Sequence, residues 1–261
     1  MRASRFDIVL DLQALARSAL VGWLANAGLT IGLDDPREGA PALYDIRVPR
    51  ASFHTHAVDW YLGVLDVLHI PRSATFDWIP ARPDVARQVR SRWDVAGGPW
   101  LLLLPGARWD NKRWAAARFA RLVQNLCAAS PDLRVAVLGG QEDQAIGDLI
   151  RQAAPQRVLD LTGRTTLPEM IEWVRLGQAM VTNDTGPMHV AAALGTPVVA
   201  LFGPTEAART GPYGQLDQVV RHPLPCAPCL KDRCAWPRPM ECLEQITVDE
   251  VTTRVLQRLG M

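Results

Sequence analysis

From Trp100 to Phe202 the chain alternates short apolar runs with segments of helical spacing, and this alternation limits the fold more than any other feature. Continuous apolar runs such as Trp100 to Leu104 are typical of parallel strands that are buried on both faces. Strands and helices in regular alternation predict a doubly wound α/β sheet. Further strands are predicted at 134–138, 158–161, 179–182 and 197–202, with helices at 115–128, 142–153, 167–175 and 188–194.

The pattern before this region is less regular. Residues 6–12 predict a strand, and helical spacing occurs at 15–27, 54–68 and 85–93. The segment Gly97-Gly98-Pro99 is typical of a linker. We therefore expect a partial N-terminal domain over residues 1–96, a C-terminal domain over 97–246, and a closing helical segment over 247–261.

Charge and hydropathy exclude several classes of function. The 261 residues carry a formal net charge of +1, whereas binding to nucleic acid by bulk electrostatics needs a basic excess. No apolar run has the length of a membrane span. The N-terminus also lacks the pattern of a signal peptide, so the expected compartment is the cytoplasm, with room for peripheral contact with a membrane.

Ligands of doubly wound sheets bind outside the carboxyl ends of the strands. The strongest candidate there is Asn183-Asp-Thr-Gly-Pro-Met-His189, between a predicted strand and a predicted helix. Thr185 and Gly186 would place backbone N–H groups at the helix N-terminus, where a pyrophosphate can bind. Asp184 would brace the loop or hold a sugar hydroxyl, because a carboxylate repels phosphate. An ordinary capped helix explains the same spacing equally well.

Two further loops lie at the same edge of the predicted sheet. The segment Pro105-Gly-Ala-Arg-Trp-Asp-Asn-Lys-Arg-Trp114 contains Lys112, a compact cation suited to neutralising a departing phosphate. Arg113 could act in the same way or simply be a solvated charge. Glu142 follows Gly139-Gly140, and the helix dipole alone would account for a carboxylate at that position.

These segments resemble glycosyltransferase family 9, which contains the ADP-heptose:lipopolysaccharide heptosyltransferases. The matching segments are Asn183–His189, Ala191-Ala-Ala-Leu-Gly-Thr-Pro-Val-Val-Ala-Leu-Phe-Gly-Pro-Thr205, Gly211-Pro-Tyr213, Pro105-Gly-Ala107 with Lys112-Arg-Trp114, and residues 6–18 with Asp11-Leu-Gln13 and Ser18. The resemblance covers essentially the whole chain, and its first motif is long and specific.

The resemblance implies a GT-B fold, in which two Rossmann-like domains face each other across a cleft, with the N-terminal domain incomplete here. It also implies direct displacement with inversion and no catalytic metal. Lys112 would stabilise the departing diphosphate. The implied donor-binding residues are Glu142 at the nucleoside, Asp184 at the sugar, Thr185 and Gly186 at phosphate, and Pro187, Met188 and His189 from the same motif.

The general base is not identified. Members of the family begin with a strand and a Gly-Asp loop that provides an aspartate for this role, and Met1 follows that point. Asp7 and Asp11 lie near the N-terminus, but neither matches the motif. Because an unassisted hydroxyl is a poor nucleophile, we expect the 261-residue chain to transfer sugar very slowly or not at all, unless Asp7, Asp11 or another carboxylate replaces the base.

Four of the five cysteines crowd near the C-terminus, and Cys127 alone is expected to be a buried small hydrophobe. Cys226, Cys229, Cys234 and Cys242 have the spacing C-x₂-C-x₄-C-x₇-C, which is similar to a metal knuckle. Four thiolates suit zinc or iron, and a bound metal would be structural. Free thiols remain the open alternative.

The sequence therefore favours an inverting glycosyltransferase. It would transfer a heptose from ADP-heptose to a lipid-linked acceptor of the lipopolysaccharide core. A nucleotide-sugar epimerase of similar fold would need acid and base groups that we do not identify. A catalytically impaired nucleotide-sugar-binding protein or assembly subunit is the alternative of another class.

Overall fold

The computed structural model describes residues 6–73, 79–95 and 98–261. The chain divides into two compact units, Met1–Ala74 and Thr75–Met261. The predicted boundary at 96/97 lies outside the described residues. Helix α3 (Pro83–Arg92) packs on α6 (Leu167–Leu176) and so belongs to the second unit, although the predicted domains placed it in the first. The closing helix α10 (Val248–Arg258) is also part of the second unit, where it packs on α4 (Ala116–Ala129).

The first unit contains a three-stranded parallel sheet in the order β1-β2-β3. Its elements are β1 (Ile8–Asp11), α1 (Ala16–Leu24), β2 (Leu29–Leu33), β3 (Ile46–Val48) and α2 (Ala57–Val67). Helix α1 ends three residues before its predicted end at 27, because Asn26 takes a left-handed conformation with φ of 51°. Trp60 closes the small core, and its Nε1 donates to the Val48 carbonyl at 3.0 Å.

The second unit is built on a six-stranded parallel sheet in the order β6-β5-β4-β7-β8-β9. The strands are β4 (Trp100–Leu104), β5 (Arg134–Val137), β6 (Val158–Asp160), β7 (Ala179–Asn183), β8 (Val198–Leu201) and β9 (Val219–Val220). Counted within the unit this is the order 3-2-1-4-5-6 of a Rossmann sheet, which confirms the predicted fold class. Its topological switch point lies between β4 and β7.

Helices cover both faces of this sheet. The remaining ones are α5 (Gln144–Ala153), α7 (Gly186–Leu194), α8 (Ala207–Thr210) and α9 (Glu241–Glu244). One core contains Phe119, Ile150 and Val251, and the other contains Trp173 and Met188. Because β4 is buried at all five positions, its sequence is a continuous apolar run, which is the signal that predicted it.

Candidate functional site

The loops after β4 and β7 meet at the switch point of the second unit. Asn183 joins them: its Oδ1 accepts from the Trp114 backbone N–H at 3.1 Å, and its Nδ2 donates to the Pro105 carbonyl at 2.7 Å. Asn183 is fully buried, so one side chain fixes both ends of the loop from 105 to 114. The sequence placed Asn183 in the first motif but did not predict this bridging role.

Three side chains from neighbouring loops converge beside this bridge. Lys112 Nζ and Thr205 Oγ1 both donate to Asp184 Oδ2, each at 2.7 Å. The Lys112 and Asp184 side chains are 17% and 8% exposed, so solvent screens this ion pair only weakly. The Trp109 ring also contacts the lysine, with its centroid 4.6 Å from Nζ. The sequence named Lys112 and Asp184 separately, but not their contact or the contributions of Thr205 and Trp109.

Helix α7 begins next to Asp184. Thr185 is its N-cap residue but makes no capping hydrogen bond through its side chain, and a proline follows within the first turn. A β-carbon added to Gly186 would meet no atom within 4 Å, so the space beside Gly186 is open. Open space and the helix dipole together make this terminus suitable for an anion.

A cavity of about 570 Å³ extends from α7 across the carboxyl ends of β4 and β5. Glu142, Thr185 and Pro187 line it, together with Arg108 and Arg113. The lining therefore combines two guanidinium groups and the start of α7 with the carboxyl groups of Glu142 and Asp143. Arg113 is oriented by a hydrogen bond from its Nε to the Ala107 carbonyl at 2.8 Å.

The remaining predicted donor residues occupy different surroundings. The described residues that line this cavity do not include Lys112, Asp184, Gly186, Met188 or His189. Met188 is fully buried in the core, so its side chain offers no surface to a ligand.

The wall beside Glu142 is shaped by Asp143. This carboxylate is buried, and its Oδ2 accepts from the Gly140 N–H at 3.0 Å. Its Oδ1 is buried and has no hydrogen-bond partner among the described residues. A second wall is the start of α6, where Thr166 and Glu169 form a capping box. Burial raises the pKa of Glu169, but hydrogen bonds from Thr166 and the Arg92 guanidinium outweigh it and lower the pKa overall.

The four C-terminal cysteines lie in the segment that follows β9. All four are free thiols, and Cys242 is packed so close to Gly203 that a β-carbon there would lie 2.9 Å from its Sγ. Burial raises the pKa of the Cys242 thiol, and the nearby Cys226, Cys229 and Cys234 raise it further. In the described ranges, no three His, Cys, Asp or Glu side chains are arranged as a metal site. The sulfurs are therefore close together without ligand geometry, and the metal stays a prediction.

The same segment contacts the loops of the site. The Leu230 N–H donates to the Pro204 carbonyl at 2.8 Å, and Asn111 Nδ2 donates to the Lys231 carbonyl at 2.8 Å. The cysteine segment thus connects the Lys112 loop with the Thr205 loop. Cys127, in contrast, packs against the core as a small hydrophobe, but it is half-buried and not buried as predicted.

Asp11 in the first unit is a structural carboxylate. Its Oδ2 accepts from Tyr44 Oη at 2.7 Å and from Ser18 Oγ at 2.8 Å, and its Oδ1 accepts from the Gln13 and Ala14 N–H groups. Burial raises its pKa, but these four hydrogen bonds outweigh burial and lower the pKa overall. A carboxylate that is fully bonded and weakly basic is poorly suited to remove a proton from an acceptor.

Within the described part of the chain, no helix is both long enough and apolar enough to cross a membrane.

The sheet order and the switch-point site define a Rossmann-type α/β protein. Comparison with known sequences identifies it further: residues 1–238 match glycosyltransferase family 9 (heptosyltransferase), and the chain belongs to this family. It is 30% identical to lipopolysaccharide heptosyltransferase 1 of Pseudomonas aeruginosa over 88% of this chain and 64% of that protein. It is 32% identical to lipooligosaccharide heptosyltransferase 2 of Haemophilus ducreyi over 84% of this chain and 66% of that protein. The chain thus spans about two thirds of the length of these two relatives.

Solved structures confirm the fold. A glycosyl transferase family 9 protein from Veillonella parvula superposes with a TM-score of 0.77 at 22% identity, over 98% of this chain and 74% of that chain. The E. coli heptosyltransferase WaaC, solved with ADP, gives a TM-score of 0.72 at 22% identity over the same shares.

Proposed function

We propose that this protein is an inverting glycosyltransferase that transfers a heptose from ADP-heptose to a saccharide acceptor of the lipopolysaccharide core. The observation that carries the proposal is the Lys112–Asp184 ion pair, which lies beside the N-terminus of α7 at the switch point of the sheet. A cation, a helix N-terminus and a carboxylate at one point match the diphosphate and the sugar of such a donor.

Different residues of the site would bind the diphosphate, the ribose and the sugar of the donor. The backbone N–H groups of Thr185 and Gly186, at the start of α7, would hold the diphosphate. Glu142 lines the cavity, where its carboxylate would accept from the ribose hydroxyls. Asp184 would accept from a hydroxyl of the sugar, because Oδ1 is not used by the hydrogen bonds that hold Oδ2.

The reaction would be a direct displacement. The acceptor oxygen forms a bond to the anomeric carbon, the bond from that carbon to the diphosphate oxygen breaks, and ADP leaves with the electron pair. Lys112 and the α7 N-terminus would stabilise the negative charge that develops on the diphosphate. The hydroxyl proton passes to a base, and the bonding of Asp11 disfavours that residue for the role.

The acceptor in this proposal is lipid-linked, so the protein would work in peripheral contact with the inner face of a membrane. The alternative is a nucleotide-sugar-binding protein without transfer activity, and the saturated hydrogen bonding of Asp11 is the observation that favours it. Both functions require the same donor site, so binding and transfer must be measured separately.

The test begins with calorimetric titration of the chain with ADP-heptose, UDP-glucose and GDP-mannose. We expect binding of ADP-heptose and at least tenfold weaker binding of the other two, a difference of about 1.4 kcal/mol. Release of ADP is then measured with and without a lipopolysaccharide-core acceptor. Acceptor-dependent release supports the enzyme, while binding without release supports the alternative. Equal binding of all three sugars would contradict an ADP-heptose site.

A further inference from the structure

Thr205 reaches the candidate site from a loop that has no assigned role. It follows β8, whereas Lys112 follows β4 and Asp184 follows β7, and these three strands are neighbours in the sheet. Thr205 Oγ1 and Lys112 Nζ donate to the same carboxylate oxygen, Asp184 Oδ2. The carboxylate is therefore held from two sides by groups on different loops.

The other oxygen of Asp184 has a different situation. Within the described ranges, no donor bonds to Oδ1, and it is not among the buried polar atoms that lack a partner. It therefore keeps some access to solvent, although the residue as a whole is 8% exposed. Two donors on Oδ2 fix the plane of the carboxylate and determine the direction in which Oδ1 points.

The hydrogen bonds from Lys112 and Thr205 to Asp184 cannot persist equally when the nucleotide sugar binds. Lys112 is the cation that a diphosphate would attract, and its ammonium already divides its contacts between Asp184 and the Trp109 ring. When the ammonium turns towards phosphate, its hold on Asp184 weakens. A neutral hydroxyl is not drawn to the phosphate in this way, so Thr205 can retain its charge-assisted hydrogen bond to Oδ2.

We propose that Thr205 is a positioning residue for the nucleotide sugar: it keeps Asp184 Oδ1 directed at a sugar hydroxyl while Lys112 engages the diphosphate. This inference rests on the proposed function, because it assigns the sugar to Asp184 and the diphosphate to Lys112. It makes a distinct claim, since loss of the Thr205 hydroxyl should affect the sugar part of the donor and spare the nucleotide part.

The experiment compares dissociation constants for ADP and for ADP-heptose in four proteins. These are the wild type, Thr205→Val, Thr205→Ser and the control Thr196→Val. Thr196 is buried, whereas Thr205 is half-buried, and Thr196 Oγ1 donates to the Val174 carbonyl at 3.0 Å, so its replacement removes one hydrogen-bonded hydroxyl outside the site. The measured quantity is the ratio of the ADP constant to the ADP-heptose constant, whatever its value in the wild type.

We expect Thr205→Val to lower this ratio roughly tenfold, as for a lost hydrogen bond to a charged group, with ADP affinity changed less than about twofold. Thr205→Ser should restore the ratio to within about threefold of the wild type, and Thr196→Val should leave it unchanged. A Thr205→Val protein that retains the ratio, or loses affinity for both ligands equally, overturns the inference alone. A wild-type chain that binds no ADP-heptose overturns the proposed function and this inference together.

Discussion

Gly106 and Asp143 pack against each other at the wall of the cavity, so closely that a β-carbon on Gly106 would lie 2.3 Å from Asp143 Oδ2. Asp143 cannot easily withdraw, because its Oδ2 is bonded to the Gly140 N–H and its Cβ lies 2.9 Å from the position of a β-carbon on Gly139. The loop after β4 and the turn after β5 are thus fitted together, and a glycine is required at 106.

Gly106→Ala should destabilise the second unit by about 1–3 kcal/mol, the usual cost of overpacking. It should also weaken ADP binding, because the displaced Asp143 would change the shape of the cavity. Urea unfolding and calorimetry measure the two effects. Adding Asp143→Ala to this variant removes the clashing carboxylate and should recover part of the stability. No recovery in the double variant would show that the clash is not the cause.

Gly186→Ala is the matched control for the steric argument. A β-carbon there meets no atom within 4 Å, and the residue is helical, so stability should change by less than about 0.5 kcal/mol. ADP affinity should nevertheless fall about tenfold, since the new methyl group would stand where phosphate approaches the α7 N-terminus. Unchanged affinity would argue against a phosphate at this helix.

Lys112 can be probed directly, because the chain contains two lysines, Lys112 and the exposed Lys231. An amine-reactive reagent, followed by peptide mass spectrometry, should modify Lys231 at the same rate with and without ADP. We expect ADP to slow the modification of Lys112, and Lys231 serves as the internal control. Protection of neither lysine at saturating ADP would contradict a contact between Lys112 and the diphosphate.

The variant Lys112→Ala should weaken ADP binding by about 1.5–3 kcal/mol, the range for a hydrogen bond to a charged group, and should leave adenosine binding nearly unchanged. Lys112→Arg should not restore the affinity for ADP, because a planar guanidinium does not fit the space that a compact ammonium occupies between Asp184 and Trp109. Equal losses for ADP and adenosine would exclude the phosphate role.

The sheet of the second unit could be predicted from sequence because its strands are buried on both faces. The predicted strand at 100–104 matches β4, and the strand predicted at 179–182 differs from β7 by one residue. In the first unit, β2 and β3 were not predicted. Strand β3 has three residues, with an exposed arginine at its centre, so it has neither an apolar run nor a clear alternation.

The sequence correctly predicted that the loops after β4 and β7 lie together, because the carboxyl ends of neighbouring parallel strands share one edge of the sheet. It could not predict which side chains touch. The bonds from Thr205 and Lys112 to Asp184 depend on strand order and on rotamers, and neither is written in local spacing. The rarity of lysine is a signal that the site prediction did not use. The other basic side chains of the chain are mostly arginine, and one of its two lysines is Lys112.

The cysteine segment gives a prediction about metal content. If the four sulfurs shift into a tetrahedral arrangement around an ion, purified protein that was never exposed to chelator should contain about one zinc or iron per chain. Cys229→Ser should lose the metal, whereas Cys127→Ser should keep it because Cys127 packs against the core. Protein with no metal and five titratable thiols would leave free cysteines as the correct interpretation.

The bond between Tyr44 and Asp11 predicts how the first unit responds to acid. The folded-state pKa of Asp11 is lowered, so its stabilising contribution is present above the unfolded pKa of about 3.9 and is lost as pH falls through the folded value. Asp11→Asn should destabilise the unit by about 1.5–3 kcal/mol at pH 7, because two hydroxyl donors would then face an amide N–H. The difference in free energy of unfolding between wild type and variant should decrease steadily below about pH 4.

Tyr44→Phe tests the same bond from the donor side. It removes the Tyr44 hydroxyl from a buried site, where Gly32 leaves room for the ring: a β-carbon on Gly32 would lie 2.2 Å from it. We expect a smaller loss than for Asp11→Asn and a weaker dependence on acid, since Ser18 and two N–H groups still hold the carboxylate. Tyr61→Phe is the matched control, because Tyr61 is 41% exposed.

Pulsed hydrogen exchange at a fixed labelling pH, after equilibration in urea at pH 7 and at pH 3, measures the stability of the first unit through peptides that cover residues 6–48. If the difference in free energy of unfolding between wild type and Asp11→Asn is the same at pH 7 and at pH 3, the ionised form of Asp11 does not stabilise the unit.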